Sequence, residues 1–416
     1  MENIFNSFKD TNKLAGFRLE KLHEEYEIDL FDDFIPFFDK HVIDHELGGF
    51  MCNTDRDGKN ITTNKAAWYE GRGIWVYSFL YNNLAKEQKY LDIAARSVEF
   101  ILKNKPSGNN VWPSSFNREG KAFDKQHFPF TGDIIYGDLF IANGLSEYSR
   151  AICDNKYWDT AKDILQKCIK IYDDPEYPFH VDYGPKVPPM KGERVLGHWM
   201  VILRIASQML EKKSDPDIEN IAARCVDAIM NYHYNPEFGL LNEVLNHDMS
   251  RPENEFAQFV YTGHAIEILW MVAYEAVRIK DKRLFNLAAD RFKRHVEIAW
   301  DDTYGGIFNG LYNVNKNIWT PGKSLWAQEE VLVGTMLIIE HSGAQWAKDW
   351  FAKMYTYVKE KYPLKHYGFS LWILFADRKV TFERHADRVG NFHHPRHLML
   401  NLLSIKRMIK RRGKTS

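Results

Sequence analysis

Apolar residues recur along this chain with a helical rather than a strand period, and the helical stretches alternate between two kinds. Six are amphipathic with one charged face: residues 14–40, 88–104, 154–172, 216–232, 281–299 and 344–361. Each is followed, after a connection, by a much more apolar stretch: 67–84, 134–151, 193–211, 258–279, 323–342 and 393–411. A helix polar on one side belongs at a surface, and one apolar nearly all round belongs inside. Six alternations of the two kinds predict an outer ring of helices around an inner ring.

The connections repeat as well. Asp44-His-Glu-Leu-Gly48-Gly-Phe returns as Asp301-Asp-Thr-Tyr-Gly305-Gly-Ile-Phe, more loosely as Asn235-Pro-Glu-Phe-Gly239-Leu-Leu, and most weakly as Tyr367-Gly368-Phe369 followed by Trp372. Glycine at these points suits tight turns with positive φ, and the residues after it suit short hairpins. Turns spaced by roughly 55 to 75 residues fit one helix pair per repeat. No Pro/Gly/Ser-rich linker or shift in composition divides the chain, so residues 1–416 are expected to form a single domain. The period alone is also compatible with an open helical scaffold that binds a protein. The polar residues of the inner helices argue for a closed ring.

Those residues gather near the helix starts. Arg72 follows Trp68-Tyr-Glu-Gly; Asp138 follows Tyr136-Gly; His198 follows Leu196-Gly; His264 and Glu267 follow Gly263. Gln328 and Glu330 come just after Trp326, and His393 and Arg396 just after Phe392. If outer and inner helices run antiparallel, all six inner helices point the same way and their polar starts meet at one mouth. An aromatic-lined concavity with convergent ionisable groups is the common form of a small-molecule pocket, and helix N-termini there favour a developing negative charge. Blander roles stand beside these. An acid such as Asp138 serves the helix dipole, and His264 with Glu267, one turn apart, makes an ordinary polar pair. His393, His394 and His397 suggest a metal, but no HExxH and no carboxylate at ligand spacing accompanies them, so no metal site is expected.

Composition narrows the partners. With 45% hydrophobic and 14% aromatic residues the chain can bury a large core, and a net charge of -1 gives no reason to expect nucleic acid or an anionic membrane. No apolar stretch reaches the roughly 18 to 20 residues of a membrane span. The start, MENIFNSFKDTNK, lacks a signal peptide's apolar run, and Cys52, Cys153, Cys168 and Cys225 form no CxxC pair. A cytoplasmic protein with reduced thiols is expected. The basic run from Lys406 to Lys414 reads as the solvated end of the last helix.

Four short motifs, Gly71-Arg-x-x-Trp75, Gly263-His-x-x-Glu267, Trp326-x-Gln-x-Glu330 and Phe392-His-x-Pro-Arg396, stand in an order that resembles the N-acylglucosamine 2-epimerase family, which also holds the renin-binding protein, cellobiose 2-epimerases and a mannose isomerase. The resemblance spans roughly Asp44 to Arg396. It implies an all-α (α/α)6 barrel with short hairpin-like connections, no metal or organic cofactor, His264 and His393 as catalytic bases, and Arg72, Glu267 and Glu330 around a sugar. The other candidates for substrate contact are Trp326, Gln328, Arg396, Asp138 and His198. Where the cellobiose epimerases and the mannose isomerase carry a further catalytic His, with Glu three residues on, alignment puts Val201 and Arg204. That sides with N-acylglucosamine epimerases, although His198 lies one turn earlier.

The expected chemistry is inversion at C2 of an aldose through an enediolate. Histidine, with an ordinary pKa of about 6.5, gives or takes a proton near neutrality. Arg72 would hold the C1 oxygen, Glu267 would orient His264 or a hydroxyl, and Glu330 would hold sugar hydroxyls. The rivals are an aldose–ketose isomerase, a glycoside hydrolase using Asp138 and Glu330, and the non-catalytic scaffold. The expected partner is a small-molecule sugar, with a homodimer as the assembly considered.

Overall fold

Each amphipathic stretch folds as an outer helix and each apolar stretch as an inner one. In the computed structural model, which describes residues 11–55, 58–108, 110–123, 135–364, 369–370, 373–375, 378–379 and 391–412, the inner helices are α3 (Ala67–Asn83), α5 (Tyr136–Ile152), α7 (Leu196–Lys212), α9 (Thr262–Ile279), α11 (Leu325–Ser342) and α13 (His393–Arg412). Outside them lie α1 (Leu19–Glu27) and α2 (Ile35–His41), joined by a π-helical turn, Ile28–Phe34. The other outer helices are α4 (Gln88–Lys103), α6 (Asn155–Tyr172), α8 (Pro216–Asp227), α10 (Lys282–Ala299) and α12 (Gln345–Lys361). A second π-helical turn, Ala228–Tyr232, extends α8. Each inner helix packs on the next and α13 packs on α3, so the inner ring closes. This is an (α/α)6 barrel. None of the helices is long and apolar enough to cross a membrane among the described residues.

One boundary differs from the periodic reading. Residues 14–18 begin not a helix but a two-residue antiparallel pair, Lys13–Leu14 against Phe17–Arg18, because Ala15 and Gly16 turn the chain with positive φ. The weakest turn copy, Tyr367-Gly368 with Trp372, lies outside the described residues, as do residues 413 and 414 of the basic run.

Side-chain caps set the outer helix starts. Asp154, Asp215 and Asp281 accept bonds from the first free backbone N–H groups of α6, α8 and α10, and Pro216 follows Asp215 where its missing N–H costs nothing. The repeated turns work as their glycines suggest. Gly48 and Gly49 have φ of +79° and +83°, and Gly305 and Gly306 +79° and +78°. In both copies the leading aspartate, Asp44 or Asp301, accepts from turn N–H groups and pairs with a buried lysine, Lys65 at 3.0 Å or Lys323 at 2.6 Å. Lys65 and Lys323 lie just before α3 and α11, so each turn ties the start of an inner helix.

Short strands do the same for the mouth of the barrel. Lys65–Ala66 pairs with Ser115–Phe116, Arg194–Val195 with Val244–Leu245, and Val260–Tyr261 with Gly310–Asn313. Each first-named strand runs directly into α3, α7 or α9. Close approach of α3 and α5 depends on Gly71, where a Cβ would come within 2.2 Å of the Phe140 carbonyl carbon. That contact sets the neighbouring Arg72 over the Phe140 ring, 4.1 Å from its centroid.

Candidate active site

The first three turns of the inner helices enclose a cavity of about 530 Å³. Its wall takes Trp68, Tyr69 and Arg72 from α3, Tyr136, Phe140 and Asn143 from α5, Met200, Val201 and Arg204 from α7, His264, Glu267 and Met271 from α9, Trp326 from α11, and His393 and Arg396 from α13. Tyr183, Tyr261 and Phe392 close it from the connections. The antiparallel arrangement therefore brings the helix starts together as the polar pattern implied.

The two histidines differ in their surroundings. His264 Nδ1 donates to Glu243 Oε1 at 2.9 Å, and Tyr183 donates its hydroxyl to the same oxygen at 2.6 Å. Burial opposes a charge on His264, but the Glu243 carboxylate together with Glu267 lifts the imidazole above its ordinary pKa. His393 Nδ1 lies 2.9 Å from Glu330 Oε1 and 3.1 Å from Arg396 Nη2. Burial dominates there and pushes His393 down to about 3. The two imidazoles are therefore shifted in opposite directions, His264 upward and His393 downward. Both side chains keep some exposure, and the Trp326 indole lies 5.8 Å from the His264 ring and 5.1 Å from the His393 ring, centroid to centroid.

Arg396 knots the far wall. Its Nη2 reaches Glu267 Oε1 and Glu330 Oε1, each at 2.5 Å, and all three side chains are buried. Glu267, Glu330 and His393 have ligand atoms close enough together for a cation, and the cation there is the guanidinium of Arg396. Glu267 lines the cavity, and its Oε2 is buried without a hydrogen bond among the described residues. Arg72 forms no ion pair among the described residues. It stacks among Trp68, Phe140 and Phe392, and burial lowers it to about 10 without discharging it near neutrality.

Several sequence candidates land elsewhere. Asp138 faces away from the cavity, accepting from the Trp112 N–H at 2.8 Å and pairing with Lys167 at 2.6 Å. Gln328 binds the backbone of Ile307 and Ser324 and so braces the start of α11. His198 is boxed in by Tyr136, Tyr172, Tyr177 and Phe179, and burial holds it neutral, at about 3. Glu330 does not reach the cavity surface. Its carboxylate engages Trp270, His393 and Arg396. Neither Asp138 nor Glu330, the two carboxylates of the hydrolase reading, lines the cavity. Glu267 pairs with Arg396, and the partner of His264 is Glu243, which the sequence reading did not single out. A signal for it existed: a lone acid inside the apolar run Leu240-Leu-Asn-Glu-Val-Leu245.

A sequence profile described as N-acylglucosamine 2-epimerase (GlcNAc 2-epimerase) matches residues 24–394. The chain belongs to that family. With it comes the reaction class, a carbohydrate-acting isomerase of the epimerase type. N-acylglucosamine 2-epimerase of Bos taurus is 23% identical over 396 residues, 90% of this chain and 90% of that protein. Cellobiose 2-epimerase of Dictyoglomus turgidum is 24% identical over 337 residues, 76% of this chain and 81% of that protein. Among solved structures, cellobiose 2-epimerase from Spirochaeta thermophila superposes with a TM-score of 0.78 at 15% identity, covering 94% of this chain and 98% of that one. D-mannose isomerase superposes at 0.73, again at 15% identity, covering 94% and 97%.

Proposed function

We propose that the protein interconverts N-acyl-D-glucosamine and N-acyl-D-mannosamine by moving a proton at C2. The observation that carries this reading is the pair of imidazoles, one raised by Glu243 and one lowered by burial, in the same cavity as Arg72, which has no ion pair among the described residues. His393, neutral at rest, takes the C2 proton of one epimer. Arg72 holds the C1 oxygen as it gains charge, which is where a preorganised cation lowers the barrier most. His264 returns a proton to the opposite face, and the pair resets through solvent. The reverse reaction starts from the opposite protonation state, with His264 as base. The acyl group is favoured by the wall from α7 and α9, where Met200, Val201, Ile205 and Met271 offer an apolar surface and no titrating group replaces Val201.

The test is an NMR assay in heavy water with N-acetylglucosamine, N-acetylmannosamine, mannose, glucose and cellobiose. Deuterium at C2 and interconversion of the two N-acetyl sugars are expected. Mannose turning into fructose with the N-acetyl sugars untouched would replace this reading with the isomerase one, since both pass through an enediolate. No deuterium at carbon in any sugar would end both.

Glu243→Gln should shift a pH profile in a set direction. In the direction that uses His264 as the acid, activity is lost as pH rises through its pKa. Glu243 raises that pKa, so replacing its charge by an amide moves the basic limb of kcat/KM to lower pH. A basic limb left in place would mean that another group is the acid.

A further inference from the structure

We propose that Glu329, His394 and His397 form a site for a divalent transition metal of the zinc class, on the face of α13 turned toward α1 and the π-helical turn. None of the three lines the substrate cavity, and the reaction proposed above has no use for them. Glu329 and Glu330 are neighbours on α11, as His393 and His394 are on α13. Two Glu–His bridges therefore join these helices side by side. Glu330 with His393 serves the site, and Glu329 with His394 lies behind it.

The donor set has the right chemistry and nearly the right spacing. One carboxylate oxygen and two imidazole nitrogens lie within 4.8 Å of one another. A tetrahedral zinc with bonds of about 2.0–2.1 Å holds its ligand atoms about 3.3–3.4 Å apart, and two histidines with one carboxylate leave one position for water. Glu329 Oε1 and His397 Nδ1 are already 3.6 Å apart. His397 is buried and its Nδ1 makes no hydrogen bond among the described residues, while its other nitrogen, Nε2, meets the Tyr26 hydroxyl at 3.1 Å. Asn401 reaches the same hydroxyl at 3.0 Å. A partner on the far nitrogen is the usual means of aiming a ligand histidine. The ligands stand on two packed helices, so little chain entropy is lost in closing the set.

Charge and access agree. Glu329 is fully buried, and Asp29 and Asp33 on the π-helical turn favour positive charge at His394. Asp29 already has Lys359 as a partner. π-helical turns are frequent at functional sites. The His394 side chain is 24% exposed, which leaves a route from solvent. An ion here would pin the first turn of α13 to α11 from outside, with His393 and Arg396 on the inner side of the same turn. It would touch no reacting atom.

The experiment uses the full chain without an affinity tag, stripped with a chelator and dialysed. Zinc ion is titrated in against a chromophoric chelator, and cobalt(II) in a parallel series read by visible absorption. One equivalent of zinc per chain is expected, with intense four-coordinate cobalt bands and a higher thermal midpoint. His394→Asn should abolish uptake, as should Glu329→Gln. Tyr26→Phe should weaken it roughly ten- to hundredfold, the cost of losing an outer partner. His393→Asn should leave it unchanged, because the other trio is occupied by Arg396. If Glu329→Gln does not fold, His394→Asn carries the test, its fold checked by circular dichroism. Uptake below one equivalent means that a proton alone bridges Glu329 and His394, and uptake that survives His394→Asn places the ion elsewhere; either overturns the proposal.

Discussion

His264→Asn and His393→Asn should each lower epimerisation on the order of a hundred- to ten-thousandfold, the usual range for losing a proton-transfer group, and should fail in different ways. In the proposed mechanism each base faces one C2 epimer. In His264→Asn the surviving His393 still takes the proton from its own epimer and washes deuterium into it without completing inversion. Its pKa of about 3 makes that exchange independent of pH from mildly acidic to neutral solution. In His393→Asn the surviving exchange is into the other epimer and depends on His264 having lost its proton. Because Glu243 raises the His264 pKa, this exchange should climb as pH rises through that value. The measurement is early-time deuterium at C2 of each epimer, by NMR, across pH. Loss of both exchanges in one variant and of neither in the other would describe a one-base enzyme. Near wild-type epimerisation in either variant would remove that histidine from the mechanism.

Arg396→Met should destabilise the protein by about 3–5 kcal/mol, because it leaves Glu267 and Glu330 buried without their cation. The sign of its pH dependence follows. Without the guanidinium the burial of both carboxylates is uncompensated, and burial disfavours their charged forms. Such groups contribute stability fully below the unfolded pKa, and that contribution is lost as pH rises through the folded pKa. Urea unfolding of the variant should therefore show a larger deficit at pH 7.5 than at pH 5. Arg396→Met combined with Glu267→Gln and Glu330→Gln should recover much of the stability but not the activity, since His393 would have lost both of its supports. A single variant as stable as the wild type at pH 7.5 would mean that the two carboxylates are already protonated there and that Arg396 holds no ion pair.

The motifs located the site better than they assigned its parts. Arg72, Glu267, His264, Trp326, His393 and Arg396 meet in one cavity because each sits in the first turns of an inner helix, and a helical period is local information. Asp138, Gln328, His198 and Glu330 share those first turns yet face elsewhere, since neighbouring helices and connections fix which side of a helix looks inward. Glu243 was not singled out because it lies in a connection, 21 residues before the histidine it orients. The carboxylate missing from the histidine cluster at residues 393–397 is Glu329, 65 residues away on α11.

By itself the sequence determined the six alternations of outer and inner stretches, the glycine turns and the polar helix starts. All of these depend on residues within a few positions of one another, where periodicity and backbone sterics act. Only the tertiary structure decided that the ring closes through α13 on α3, and that the pKa of His264 is raised while that of His393 is lowered. The two histidines are chemically identical. What separates them is an acid from a distant connection for one, and burial beside a carboxylate already bound to arginine for the other. Such electrostatic partners are brought together by packing across the ring, at sequence separations that no local pattern records.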